Sequence, residues 1–165
     1  MERRNLLGAG WLAAAAVLAA GSSAEAAEEP AAEAIRQFAA TLSAHDMEAF
    51  AALFSDDYVN HQVSAAAPRP APGMTAKQGT VGFFTARLRG LPDLSVSIES
   101  SVVKAEMAAA SFIYTGTHQG AYLGVAPTGR SLRFTSCDIF RIGDGKIAEH
   151  WGMGDLAGIL AQLKA

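Results

Sequence analysis

The stretch "SLRFTSCDIFRIGDGKIAEHWGM", Ser131 to Met153, decides the fold. Two runs rich in apolar and β-branched residues flank Asp144-Gly145, a pair suited to the positive φ angles of a type I′ turn. Leu132, Phe134, Phe140 and Ile142 alternate along the first arm, the period of a strand with one buried face. Asp138 stands in the same alternation, where an apolar side chain belongs. With Asp144 and Gly145 as the turn, Ile142 faces Ile147, Phe140 faces Glu149 and Asp138 faces Trp151. Opposed residues point the same way, so all six share one face, and Met153 continues it. His150 and Cys137 then fall on the other face with Ile139 and Arg141. His150 reads there as a packed or surface histidine, and Cys137 as a small buried apolar residue.

The strands before this hairpin extend the sheet. "LSVSIESSVVKA" alternates Leu94, Val96 and Ile98, and "MAAASFIYTGTHQG" places Phe112, Tyr114, Gly116 and His118 in one inward phase. Pairing His118 near Arg130 sets Asp138 opposite Ala110. His118 then lies several residues from Asp138 along the ladder, at roughly 3.3 Å per residue, too far for a direct hydrogen bond. After it, "QGAYLGVAPTGR" is a glycine-rich loop able to cover a cavity mouth.

Upstream the period changes. "PAAEAIRQFAATLSAHDMEAFAALF" reads as two helices broken at "SAHD", with Asp46 able to cap the second. "DDYVNHQV" is a short extended piece ending at His61, and "SAAAPRPAPGM" is a loop. A third helix is expected from Thr75 to Leu88, and a last one from Asp155 to Leu163. Helices first and a strand meander afterwards predict an α+β fold, with the helices laid on one face of an antiparallel sheet.

Arg3 and Arg4, an uncharged Leu/Ala-rich run and the Ala24-Glu25-Ala26 site form an export signal over residues 1–26. The paired arginines partly match a twin-arginine leader. The mature chain, residues 27–165, suits one domain in the periplasm or outside the cell, with no membrane attachment after cleavage. The net charge of −3, without a Lys/Arg cluster, argues against nucleic acid. Cys137 is the only cysteine, so no intrachain disulfide forms. The four histidines show no metal-ligand spacing, and no phosphate-cradling loop, nucleophile elbow or dinucleotide fingerprint is present. No metal or cofactor is therefore expected.

Desolvation among Phe140, Trp151 and Met153 disfavours the charged form of Asp138 and poises it between acid and base. A buried Asp that bonds backbone amides is the alternative. His118 is a candidate for the far end of a ligand. His61, beside the proline-rich loop, fits a cavity rim and fits an idle surface histidine equally well.

"GTHQGAYLGVAPTGRSLRFTSCDIFRIGDGKIAEHW", with "YVNHQ" and "GFFTARLRGLPDLSVSIES", resembles the SnoaL-like polyketide cyclases, or ester cyclases. The resemblance implies a curved sheet wrapped into a cone and closed by helices over a deep apolar pocket, as in ketosteroid isomerases and scytalone dehydratase. It implies aldol ring closure on a polyketide methyl ester without metal or cofactor, with a pocket aspartate as general acid/base. That role falls on Asp138. His61, His118 and Trp151 match polar or aromatic pocket positions of the family. Tyr114, Phe112, Phe134, Phe140 and Met153 complete the expected wall around a small apolar carbonyl ligand. A binder of such a ligand, or a hydrolase or hydratase, is the competing expectation. A homodimer through the open sheet face is the expected assembly.

Overall fold

Four helices and five strands follow in the order α1 (residues 28–43), α2 (Met47–Ala52), β1 (Phe54–Asn60), α3 (Ala76–Gly90), β2 (Ser95–Lys104), β3 (Met107–Thr117), β4 (Ser131–Gly143), β5 (Lys146–Gly154) and α4 (Leu156–Lys164). They come from a computed structural model that describes residues 28–62 and 69–165. The export signal expected at residues 1–26 lies outside the described residues, as does part of the proline-rich segment.

Local chemistry accounts for the helix ends. α1 stops at His45, whose φ of 59° leaves the helical region and whose Nε2 lies 2.9 Å from the Leu94 carbonyl oxygen. Asp46 then caps α2 by accepting from the Ala49 amide at 2.9 Å. Thr75 and Gln78 form a capping box at the start of α3. Asp144 and Gly145 both take positive φ, 49° and 72°, as the hairpin turn between β4 and β5 requires.

The sheet order is β1-β5-β4-β3-β2. The β2–β3–β4–β5 meander is antiparallel, and Asp138 pairs with Ala110 as the alternation predicts. The expectation of a wholly antiparallel sheet is corrected at one edge. The extended piece before His61 is strand β1, parallel to β5, so the sheet is mixed. A parallel partner this distant in the chain leaves no local signal, because the pairing is set by the packing of everything between. The sheet stays open, with β1 and β2 as its edges.

Phe38 of α1 ties the helices to the inner sheet face. Its ring centroid lies 5.2–5.5 Å from those of Phe50, Phe84, Phe112 and Phe140. Replacing such a ring by alanine typically costs about 3–5 kcal/mol. Beyond the end of β5, α4 covers the β4 edge. The Gln162 side-chain amide accepts from the Arg133 N–H and donates to its carbonyl oxygen, both at 2.9 Å, in place of a neighbouring strand.

Candidate active site

A single inserted residue decides what Asp138 meets. Ile142 pairs with Ile147, but Arg141 pairs with Glu149, which leaves Ala148 unopposed as a β-bulge. From there the register moves by one: Phe140 pairs with His150, Ile139 with Trp151, and Asp138 with Gly152. The expected pairing of Asp138 with Trp151 is therefore corrected, since a one-residue shift exchanges the two faces of a strand. His150 turns inward and is buried, while Trp151 and Met153 point outward and are exposed. Glu149 joins Arg141 on the outer face, and Cys137 is exposed there rather than buried.

The inward His150 completes a buried chain of hydrogen bonds. Its Nε2 lies 2.8 Å from Asp138 Oδ1, and the Ser136 hydroxyl donates to Oδ2 at 2.5 Å. On the far side of the imidazole, Nδ1 is 3.3 Å from the Tyr58 hydroxyl, which accepts from Thr80 Oγ1; Asn60 Nδ2 donates to that same Thr80 oxygen. On the other side, the Tyr114 hydroxyl sits 3.5 Å from Ser136 Oγ. One consistent donor direction satisfies every link: Asn60 to Thr80 to Tyr58 to His150 to Asp138, and Tyr114 to Ser136 to Asp138. The carboxylate is the common sink, as an acceptor-only group must be. Burial raises both Tyr58 and Tyr114 above the ordinary phenol range, and the nearby Asp138 charge adds to this. Both phenols thus remain donors.

Gly152 makes the chain sterically possible. A Cβ there would lie 2.5 Å from Asp138 Oδ1 and 2.6 Å from His150 Nε2. The Phe140 ring stacks on the imidazole at 5.1 Å and fixes its plane.

A cavity of about 860 Å³ opens beside this chain, lined by Asn60, Thr80, Phe83, Phe84 and His150, with His61 at its outer part. His150, not Asp138, is the member of the pair that lines it. His61 stacks on Trp151, ring centroids 4.4 Å apart, and its Nε2 lies 2.7 Å from Glu149 Oε2. Trp151 thus supports a rim residue from the outer face. Phe112, Tyr114, Phe134 and Phe140 are buried on the inner face, as the alternation predicts.

His118 lies apart. It is wholly buried, with its Nδ1 accepting from the Thr128 amide at 3.2 Å and lying 3.0 Å from the Thr128 hydroxyl. The separation from Asp138 read from the ladder holds. The loop that follows His118 packs on the end of α3, where the Gln119 and Gly120 amides both bond the Gly90 carbonyl oxygen at 3.0 Å.

Sequence reasoning missed His150, Tyr58, Thr80, Asn60 and Arg87. Ser136 was missed as well, although it shares the phase of Asp138 and could have been found that way. Among the described residues, no three His, Cys, Asp or Glu side chains gather as a metal centre would require.

The model of the SnoaL-like polyketide cyclases matches residues 32–163. Among solved structures, the chain is similar to IdmH of Streptomyces antibioticus, described as a candidate polyketide cyclase. The two are 27% identical with a TM-score of 0.70, over 81% of this chain and 98% of that one. TsrD of Streptomyces laurentii is 25% identical at a TM-score of 0.69, over 82% and 95% of the two chains. AclR of Streptomyces galilaeus, described as a candidate hydroxylase, shares the fold at 24% identity and a TM-score of 0.70, over 83% and 82%. No curated protein matches in sequence. A family match from residue 32 to 163, on the fold these structures share, makes this chain a member of the SnoaL-like polyketide cyclase family.

Proposed function

We propose that the protein is a cofactor-free enzyme that moves a proton next to the carbonyl group of a small, mostly apolar compound. The Asp138–His150 pair is its general acid/base. The observation that carries this reading is the 2.8 Å bond between His150, which lines the cavity, and the buried Asp138 behind it. A carboxylate on one imidazole nitrogen favours protonation of the other. In the proposed step the Tyr58 hydroxyl turns away from His150 Nδ1, a C–H bond beside the carbonyl breaks, its proton goes to that nitrogen, and the electron pair moves onto the carbonyl oxygen. In an aldol closure the enolate carbon then attacks a second carbonyl, whose oxygen receives the proton back. Neither a metal nor a redox cofactor is needed, because no electrons leave the substrate. Asn60 and Thr80 line the cavity, and the amide proton that Asn60 does not give to Thr80 is the donor best placed for a developing enolate. His61 contributes at the rim.

A non-catalytic binder is the second reading. The observation favouring it is that both oxygens of Asp138 are already bonded, as a rigid pocket wall would also need. Solvent-deuterium exchange at the α-protons of a bound aryl ketone separates the two, with ketones first selected by thermal shift. D138N should lower exchange by about 10²–10⁴-fold with the ligand-induced thermal shift retained. Exchange in wild type no faster than in buffer would leave only the binder, and exchange at the wild-type rate in D138N would remove Asp138 from the chemistry. The reading also places the protein outside the cytoplasm after cleavage near Ala26, and pairs it with a second copy. Ile139, Trp151 and Met153 are exposed on the outer sheet face and supply the apolar surface for that pairing. Signal cleavage seen by intact mass, and dimer mass in solution, check these two points.

A further inference from the structure

Helix α3 carries a cation into the interior. Arg87 is 4% exposed, and its Cζ lies 4.9 Å from the ring centroid of Phe83, 5.1 Å from that of Phe84, 4.9 Å from that of Tyr114 and 5.2 Å from that of Phe134. Its Nε donates to the Tyr122 hydroxyl at 3.0 Å. No carboxylate pairs with it among the described residues, and both Nη groups are without a hydrogen bond there. Only Ser55 Oγ and His118 Nε2 are at once unbonded and fully sealed among the described side-chain atoms. Neither Nη group of Arg87 is therefore fully sealed, although the residue as a whole is buried.

A structural role does not call for this residue. Leucine or methionine would pack on the same rings without desolvating a charge. A buried cation without a counter-charge is strongly unfavourable, and aromatic faces offset only part of that cost. The guanidinium fork, by contrast, matches a carboxylate with two parallel N–H donors. Arg87 is not itself in the cavity wall, but two of its neighbours are. Phe83 and Phe84 belong both to the box around Arg87 and to that wall, while Tyr114 belongs to the box and to the chain that ends on Asp138.

We propose that Arg87 is an anion-recognition residue at the back of this cavity, reached past Phe83 and Phe84. Its ligand carries a carboxylate, held by the Nη fork, on an aromatic or otherwise apolar body that packs against Phe83 and Phe84. This rests on the cavity being the ligand site, as in the function proposed above, but not on the acid/base chemistry of Asp138 and His150.

The test compares 2-naphthoate with its methyl ester by calorimetric titration of the full-length protein as wild type, R87M and R87K. Wild type should bind the acid at least tenfold more tightly than the ester. R87M should lose that preference and keep its affinity for the ester, and R87K should fall between, since it retains the charge without the fork. D138N should keep the wild-type preference. Equal binding of acid and ester by wild type overturns the proposal, and this arm needs no variant to fold. An unchanged preference in R87M, or binding of neither probe, overturns it too. If the preference fails while wild type still exchanges ketone α-protons, only the anion site is lost. If the preference stands and exchange is absent, only the acid/base reading is lost.

Discussion

Two polar regions are buried in one apolar shell, and they are built in opposite ways. Around Asp138 every donor ends on an acceptor, from Asn60 through His150 on one side and from Tyr114 through Ser136 on the other. Around the end of α3 the count does not close. Arg87 has one bond for its whole guanidinium, and His118 Nε2 is sealed without a partner. Since Nδ1 of His118 accepts from the Thr128 amide, the ring proton sits on that sealed Nε2. The first region is complete before any ligand arrives, which is how a fold preorganises a reacting centre. The second has donors left over, which is how a fold waits for something. Closed and open networks should therefore respond differently to mutation.

The largest effect is expected from inserting one alanine between Ala148 and Glu149. With the bulge still one residue long, every residue of β5 beyond the insertion changes face. Trp151 would turn toward Asp138, and His150 would leave the interior. A buried carboxylate would lose its partner and the core would receive an indole, so destabilisation beyond about 4 kcal/mol is expected. Urea unfolding measures it. An insertion variant of near wild-type stability would mean that the register beyond the bulge does not hold the closed network together.

That bulge also marks the boundary of what the sequence could say. The turn at Asp144-Gly145, the alternation of β4 and the Ala110–Asp138 register were all legible, because each depends on local periodicity or turn chemistry. The capped starts of α2 and α3 were legible for the same reason. An unpaired alanine in a strand has no such signature, so the faces of β5 were read one residue out of phase, and His150 with them. The partners supplied by β1 and α3 were hidden differently. Tyr58 and Thr80 reach His150 through a parallel edge and a packed helix, and both are long-range consequences of the whole fold. Gly152 was the one available hint, since a glycine opposite an inward carboxylate leaves room for a third group.

Single truncations sharpen the contrast between the two regions. D138A removes the sink of the closed network and leaves His150 and Ser136 donors buried and unmet. A loss of about 3–5 kcal/mol is expected, the usual result of breaking one side of a buried pair. R87M removes a charge that has no counter-charge, so its stability should lie within about 1 kcal/mol of wild type or above it. Denaturant midpoints of the two variants, measured without ligand, test the difference. Equal losses would show that Arg87 is as fully satisfied as Asp138.

G152A probes the closed network without removing a polar atom. The added Cβ would press on Asp138 Oδ1 and His150 Nε2, both held from other directions. Overpacking of this kind costs about 1–3 kcal/mol. The same variant should displace the imidazole, so the His150 ring resonances and the unfolding midpoint should move together. A midpoint shift with unmoved resonances would place the strain in the backbone.

The smallest effect belongs to the exposed counterpart of the buried chain. Glu149 bonds His61 at 2.7 Å and Arg141 at 2.5 Å on the outer rim, and these partners, His61 first, hold its carboxyl below the ordinary range. A carboxylate lowered in the folded state binds fewer protons there than in the unfolded chain. Its contribution is therefore present above the unfolded value, near pH 4.3, and is lost as pH falls through the lowered folded value. Water and salt compete for such a pair, so the contribution is small and falls further with ionic strength. E149Q should therefore flatten the acid end of the stability curve slightly and leave neutral pH nearly unchanged. Because His61 stacks on Trp151, the indole fluorescence should follow the same acid transition in wild type and lose it in E149Q. An acid transition that survives in the variant would mean that the rim carries no share of the pH response.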